Sequence, residues 1–249
     1  MPGVKIHRIQ GIAFSSYLIE APDALFLVDS GFRWFERLIT SKVRSIGRSM
    51  DDLRLAVLTH PHIDHIGSVP ALLQHSRFEI AAHPASLGAL ADGGRAYSPP
   101  TQVWTRAVQW LATNALPLLR LPGIVPTIAP EDGERLDRYG LAAALHFTPG
   151  HSPWCISLLL DDGTAFAGDL IIGAGHMTSR VSPPAMSSDP VAALESMRKL
   201  LRAGAERFMP AHGRAFSADD VRAMLARLEP GVRVASRGDL DAARARARE

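Results

Sequence analysis

The stretch His60-Pro61-His62-Ile63-Asp64-His65 packs four groups able to ligate a metal into six residues, in the pattern H-x-H-x-D-H. It follows the apolar run Leu55-Ala56-Val57-Leu58, which reads as a buried strand, and precedes a helix expected to begin near Ser68. Pro61 fixes its own φ and pushes His60 into an extended conformation. His60 and His62, two residues apart, can then point the same way and share one cation. Asp64 and His65 come where the chain turns into a helix and face a different direction. That suits a second cation beside the first, at the roughly 3.5–4 Å separation of two-metal hydrolytic sites.

Three later fragments repeat one arrangement, a short apolar run followed by a potential ligand. Leu145-His146-Phe147 leads to Thr148-Pro149-Gly150-His151, Thr164-Ala165-Phe166 to Ala167-Gly168-Asp169, and Arg207-Phe208-Met209 to Pro210-Ala211-His212. Gathering functional groups at strand ends is how a rigid scaffold presents them, and core histidines have no reason to follow that rule.

Together with H-x-H-x-D-H, these fragments resemble the signature of the metallo-β-lactamase-fold hydrolases. The resemblance runs from about Ile6 to the helix after His212. It implies an α/β fold, a four-layer αβ/βα sandwich, and a pair of divalent metal ions. His60, His62 and His151 would hold one ion, Asp64, His65 and His212 the other, and Asp169 would bridge them. Five histidines and two aspartates without a thiolate suit zinc and are also compatible with manganese or iron. Water shared by two cations loses a proton near neutral pH and becomes a nucleophile, and Asp64 is placed to orient it and shuttle its proton.

The bridging position of Asp169 is similar to the lactonase and glyoxalase II branches of that family, which implies hydrolysis of an ester, lactone or thioester. Two departures bear on the substrate. Ile172 stands where the acyl-homoserine lactonases have a tyrosine, and no counterpart of the glutathione-binding residues of glyoxalase II follows Asp169. A metal-binding regulatory protein of the same fold with little turnover is the alternative reading. His176, in the loop Gly173-Ala174-Gly175-His176-Met177, is a further candidate catalytic residue, as a substrate contact or a proton donor to the leaving group. The competing reading is a solvent-exposed loop histidine. Asp29, after the apolar run Leu25-Phe26-Leu27-Val28, has two readings: a local turn residue, or a carboxylate that orients a ligand histidine. His7, His75 and His83 are expected to be structural.

The elements that must carry these groups are strands at Val4–Ile9, Ser16–Glu20, Leu25–Val28 and Phe78–Ala82, with helices over Trp34–Val43 and Val69–Leu73. Asp189-Pro190 and Ser217–Asp220 read as the starts of two late helices. Between about Leu87 and Pro130 the pattern breaks into a proline-bounded, amphipathic helical stretch carrying Trp104 and Trp110. Because it falls between the ligand-bearing halves, it is expected to be an insertion over the site mouth, with ordinary core and a dimer contact as the other readings.

Composition sets the frame. With 249 residues, 47% hydrophobic and 21% charged, the chain can bury a substantial core as a single domain, residues 1–249. A net charge of +2 and the absence of a basic, aromatic face argue against a nucleic-acid partner. The arginines near the end, over 236–249, read as a basic, frayed and solvated tail. One cysteine, Cys155, excludes an internal disulfide and fits buried packing in a reducing compartment. The first residues lack the pattern of a signal peptide, and no stretch of apolar residues is long enough to span a membrane. The expectation is a soluble cytoplasmic protein acting on a small-molecule substrate, with no membrane partner and with a homodimer left open.

Overall fold

The computed structural model describes residues 4–12, 14–94, 98–101, 106, 110, 121–173 and 180–228. Trp104, His176 and the basic tail therefore lie outside the described residues. The N-terminal half forms a five-stranded sheet in the order β1 (Lys5–Gln10), β2 (Ser15–Glu20), β3 (Leu25–Val28), β4 (Leu53–Val57), β5 (Glu79–Ala81). The first three strands run antiparallel, and β3, β4 and β5 run parallel. β6 (Glu134–Arg135), β7 (Ala143–Phe147), β8 (Ile156–Leu160), β9 (Thr164–Gly168), β12 (Arg207–Pro210) and β13 (Phe216–Ser217) form the second sheet, in the order β13-β12-β9-β8-β7-β6. A two-stranded ladder joins β10 (Ile172–Gly173) to β11 (Val181–Ser182).

Side chains alternate across each strand, so one strand feeds two layers. Phe26 and Val28 of β3 face the second sheet, where they pack with Leu55, Leu145, Leu158 and Phe166. Leu25 and Leu27 face outward, against Ile39 and Val43 of α1 (Glu36–Ser45) and against the short helices α2 (Ile63–Ile66) and α3 (Val69–Leu72). The second sheet mirrors this. Leu159, Ala165 and Phe208 turn away from the first sheet, toward Met197 and Leu200 of α5 (Pro190–Arg202) and Val221 and Met224 of α6 (Ala218–Leu228). The layers are thus helix, sheet, sheet, helix, the expected αβ/βα sandwich.

Local sequence explains where the helices start. Asp189 caps α5, its carboxylate accepting from the N–H groups of Val191 and Ala192, with Pro190 in the first turn. Ser217 and Asp220 exchange side-chain to backbone hydrogen bonds at the start of α6. The helix expected near Ser68 is α3, with Ser68 before its first residue, and one further helical turn, α2, precedes it from Ile63. Pro70 has no N–H to donate back to Ile66, so α2 cannot run on into α3 as one helix. Asp64 and His65 consequently lie within a helix.

The segment that departs after α4 (Leu87–Ala91) returns alongside β5, where Thr127 and Ile128 both donate to the Ile80 carbonyl. Part of it crosses to the other half: Thr101 N–H donates to the Ala185 carbonyl and Ser187 N–H to that of Pro99. Trp110 is 67% exposed, which excludes the core reading for that residue. Among the described residues no helix is long and apolar enough to cross a membrane.

Candidate metal centre

Four strand ends converge on one place. The parallel strands β3 and β4 finish at Asp29 and at the Thr59–His65 segment, and β9 and β12, also parallel, finish at Asp169 and His212. The pairing of Pro210 with Gly168 sets Asp169 and His212 side by side. Gly168 must be a glycine: its φ is 52°, and a Cβ there would lie 2.6 Å from Thr59 Oγ1. His151 arrives from the loop after β7. The Thr59 carbonyl, accepting from Ile156 N–H at 2.9 Å, ties the two sheets together beside it.

All seven side chains singled out in the sequence come together here, and they sort into two groups. Nε2 of His60 lies 3.0 Å from Nδ1 of His62 and 3.2 Å from Nε2 of His151, which is itself 3.1 Å from Nδ1 of His62. In the second group His212 Nε2 is 3.3 Å from Asp64 Oδ2, and His65 Nε2 is 3.6 Å from the same oxygen. Asp169 stands between them: Oδ1 is 3.4 Å from His65 and 3.3 Å from His212, and Oδ2 is 3.6 Å from His151.

The donor atoms are preset for a cation. His151 Nδ1 is 2.7 Å from the Met186 carbonyl, which only accepts, so the proton sits on Nδ1 and Nε2 keeps its lone pair. His65 Nδ1 donates to Asp29 Oδ2 at 2.8 Å, turning Nε2 inward. Thr59 donates its hydroxyl to the same Asp29 oxygen at 2.8 Å and can therefore accept from His60 Nδ1 at 3.1 Å, which again leaves Nε2 free to ligate. A tetrahedral ion with bonds of about 2.0–2.1 Å to nitrogen needs nitrogens about 3.3–3.4 Å apart, close to the spacing of the His60, His62 and His151 group. Nε2 of His65 and Oδ1 of Asp169 are buried without a hydrogen-bond partner among the described residues, a costly arrangement that a cation would relieve. Residues and site therefore fit divalent metal.

Electrostatics separates the groups. Burial, reinforced by the neighbouring imidazoles, pushes His60 well down and takes His62 down to about 3; burial also lowers His151. For His65 burial acts the same way, but the carboxylates of Asp29, Asp64 and Asp169 outweigh it and raise the ring well above the usual histidine range. His212 is raised likewise against its burial, mainly by Asp169 and Asp64. Asp64 and Asp169 are lowered despite burial, because His65 and His212 face them.

Asp29 resolves in favour of the orienting carboxylate, holding the candidate ligand His65. Its backbone takes φ 56°, unusual outside glycine, and its two oxygens accept from Thr59 N–H, Thr59 Oγ1 and His65 Nδ1, each at 2.8 Å. Sequence reasoning missed Thr59 and Met186. Thr59 directly precedes the motif and could have been found there; Met186 contributes a carbonyl, which any residue type supplies. His7 pairs with Glu20, and His83 caps the turn that follows it, so neither joins the centre. Cys155 is buried, its thiol pushed up to about 12 by burial.

Two outcomes are expected. Asp29→Asn keeps the size but loses the charge that orients His65 and, through Thr59, His60; zinc affinity should fall about 10- to 100-fold in a chelator competition, and unchanged affinity would contradict that role. The facing carboxylates raise His65 and His212, whereas burial lowers His60, His62 and His151, so protons compete with an incoming ion more strongly in the first pair than in the second set. As pH falls, binding at the Asp64, His65 and His212 group should therefore weaken before binding at the other group. Calorimetric titration in buffers of different ionisation enthalpy reads the proton release directly, and binding without release would contradict the assignment.

The sequence profile of the metallo-beta-lactamase superfamily matches residues 14–212. A curated protein of Bacillus subtilis, named "Probable metallo-hydrolase YflN", is 27% identical over 243 residues, covering 90% of this chain and 89% of its own length. An archaeal metallo-beta-lactamase superfamily protein from Sulfolobus tokodaii aligns in structure with a TM-score of 0.64 at 23% identity, over 92% of this chain and 87% of that one. A metallo-beta-lactamase family protein from Thermus thermophilus aligns at 0.65 and 21% identity, over 92% and 79%. At those identities the two structures speak for the fold alone. Since the profile spans both halves of the sandwich and reaches through the last of the converging histidines, the chain belongs to the metallo-beta-lactamase superfamily.

Proposed function

We propose that the protein is a metal-dependent hydrolase that takes two divalent cations and acts on the carbonyl of an ester, lactone or thioester small molecule. One cation would lie among His60, His62 and His151, the other among Asp64, His65 and His212. The observation that carries this reading is Asp169, whose two carboxylate oxygens are divided between the groups, Oδ1 toward His65 and His212 and Oδ2 toward His151. The all-nitrogen and oxygen donor set favours zinc, with manganese or iron as substitutes. The likeness to a protein named as a metallo-hydrolase, over nine-tenths of this chain, supports hydrolysis.

When bound, such cations supply Lewis acidity, activating water near neutral pH and polarising a carbonyl. The chain's own residues do the rest. Asp64, kept ionised by His65 and His212, can accept the proton of the attacking water and pass it to the leaving group. Asp29 and the Met186 carbonyl fix the ligand rings so that little reorganisation is needed. The segment from Pro99 to Thr101 runs against Ala185–Ser187, the stretch that holds His151, so the insertion reaches the edge of the centre. It is proposed as a wall of the substrate pocket, with Trp110 as one of its apolar side chains.

Asp169→Ala should lower metal content from two ions toward one per chain and reduce turnover by a factor of about 100 or more on any substrate found. The test couples metal analysis to a panel of simple esters, lactones and thioesters. Two bound ions with no turnover on any class would favour a regulatory binding protein. Two tightly held ions in Asp169→Ala would remove the bridge.

A further inference from the structure

The loop carrying His212 is held from outside its own half. Each carbonyl from Pro210 to Gly213 accepts a hydrogen bond, and three of the four donors belong to the β1–β2 hairpin of the first sheet. The Tyr17 hydroxyl donates to Pro210 at 2.6 Å, Ser15 N–H to Ala211 at 2.8 Å, and the Arg8 guanidinium to Gly213. The fourth, at His212, accepts from Gly173 N–H at 2.9 Å. Arg8 Nε also donates to Ser15 Oγ at 2.8 Å, so one guanidinium links both strands of the hairpin to the loop. Gly213 is pressed against Gly173 on the far side: its φ is 113°, and a Cβ there would meet Gly173 N at 2.7 Å.

His60, His65 and His151 are held differently. His60 and His65 are oriented through Asp29 and Thr59 of their own half, and His151 by Met186 of its own. His212 sits on a loop gripped across the sandwich by residues roughly two hundred positions away in the chain. Tyr17 is buried, its ring 5.1 Å from that of Phe166, and burial pushes its hydroxyl up to about 12, so it remains a donor at all working pH values.

We propose that the β1–β2 hairpin is a clamp in which Arg8 and Tyr17 are positioning residues that act through the loop backbone to hold His212 against Asp64 and Asp169. This rests on the two-cation reading and adds a consequence to it: the hairpin sets the affinity of the second cation and leaves the first alone. A ligand has to be held within roughly 0.5 Å of its productive position, and the carbonyl anchors from the hairpin are what would supply that precision for His212.

Metal-stripped wild type, Tyr17→Phe, Arg8→Met and Arg8→Lys are titrated with zinc against a chromophoric chelator, with thermal melts alongside. Arg54→Met serves as control, because Arg54 of β4 also donates across the sandwich, to the Tyr139 carbonyl at 2.9 Å, away from His212. Tyr17→Phe and Arg8→Met should keep the first equivalent and weaken the second by about tenfold or more, and Arg8→Lys should recover part of the loss. Arg54→Met should leave both equivalents unchanged whatever its melting temperature. Amide exchange at Ala211, His212 and Gly213 in the stripped protein should be faster in the clamp variants only. A wild type that binds a single equivalent overturns the two-cation reading, and the exchange rates then decide the clamp by themselves, unchanged rates refuting it. A wild type that binds two, with both weakened alike or neither weakened in the clamp variants, overturns the clamp alone.

Discussion

A single buried carboxylate governs the centre. Asp29 accepts three hydrogen bonds at 2.8 Å and through them sets the tautomer of two histidines, His65 directly and His60 through the Thr59 hydroxyl. One of these rings belongs to each group, so the two candidate metal positions share one orienting residue. A buried charge is tolerated only when it is paired and hydrogen-bonded, and Asp29 meets both conditions. Its left-handed backbone turns the chain sharply after β3, which brings the carboxylate under the end of β4.

The rest of the sandwich reads as the means of bringing distant segments to that carboxylate. Parallel pairing of β3 with β4 and of β9 with β12 places four strand ends together, and the apolar layer between the sheets fixes the distance across. Each loop has its own anchor: a cap and a proline at the head of α5 beside the His151 loop, the β1–β2 hairpin behind His212, and a glycine before Asp169 where nothing larger fits. Rings held this firmly lose little freedom on taking a cation.

Much of this was legible in the sequence, for identifiable reasons. The H-x-H-x-D-H motif is local, so its geometry follows from Pro61 and the preceding strand. The remaining candidates stood out because each ends an apolar run. Asp189-Pro190 and Ser217–Asp220 announced helix starts through capping chemistry that acts within three residues. The helix expected from Ser68 onward is α3, whereas the short turn α2 before it was not foreseen as a helix of its own, because its four residues are too few to reveal a helical period. The Met186 carbonyl, the grip of Arg8 and Tyr17 on the His212 loop, and the contact of Pro99–Thr101 with Ala185–Ser187 were illegible. They join backbone groups far apart in sequence, and a carbonyl carries no residue signature.

The central claim is that two cations sit side by side with Asp169 shared between them, and metal-edge anomalous diffraction from crystals of zinc-loaded protein tests it most directly. Two anomalous peaks are expected. One would lie at about 2.0–2.2 Å from the His60, His62 and His151 nitrogens and the other at that distance from Asp64, His65 and His212, with one Asp169 oxygen reaching each. A single peak, or a second one away from Asp64 and His212, would contradict it.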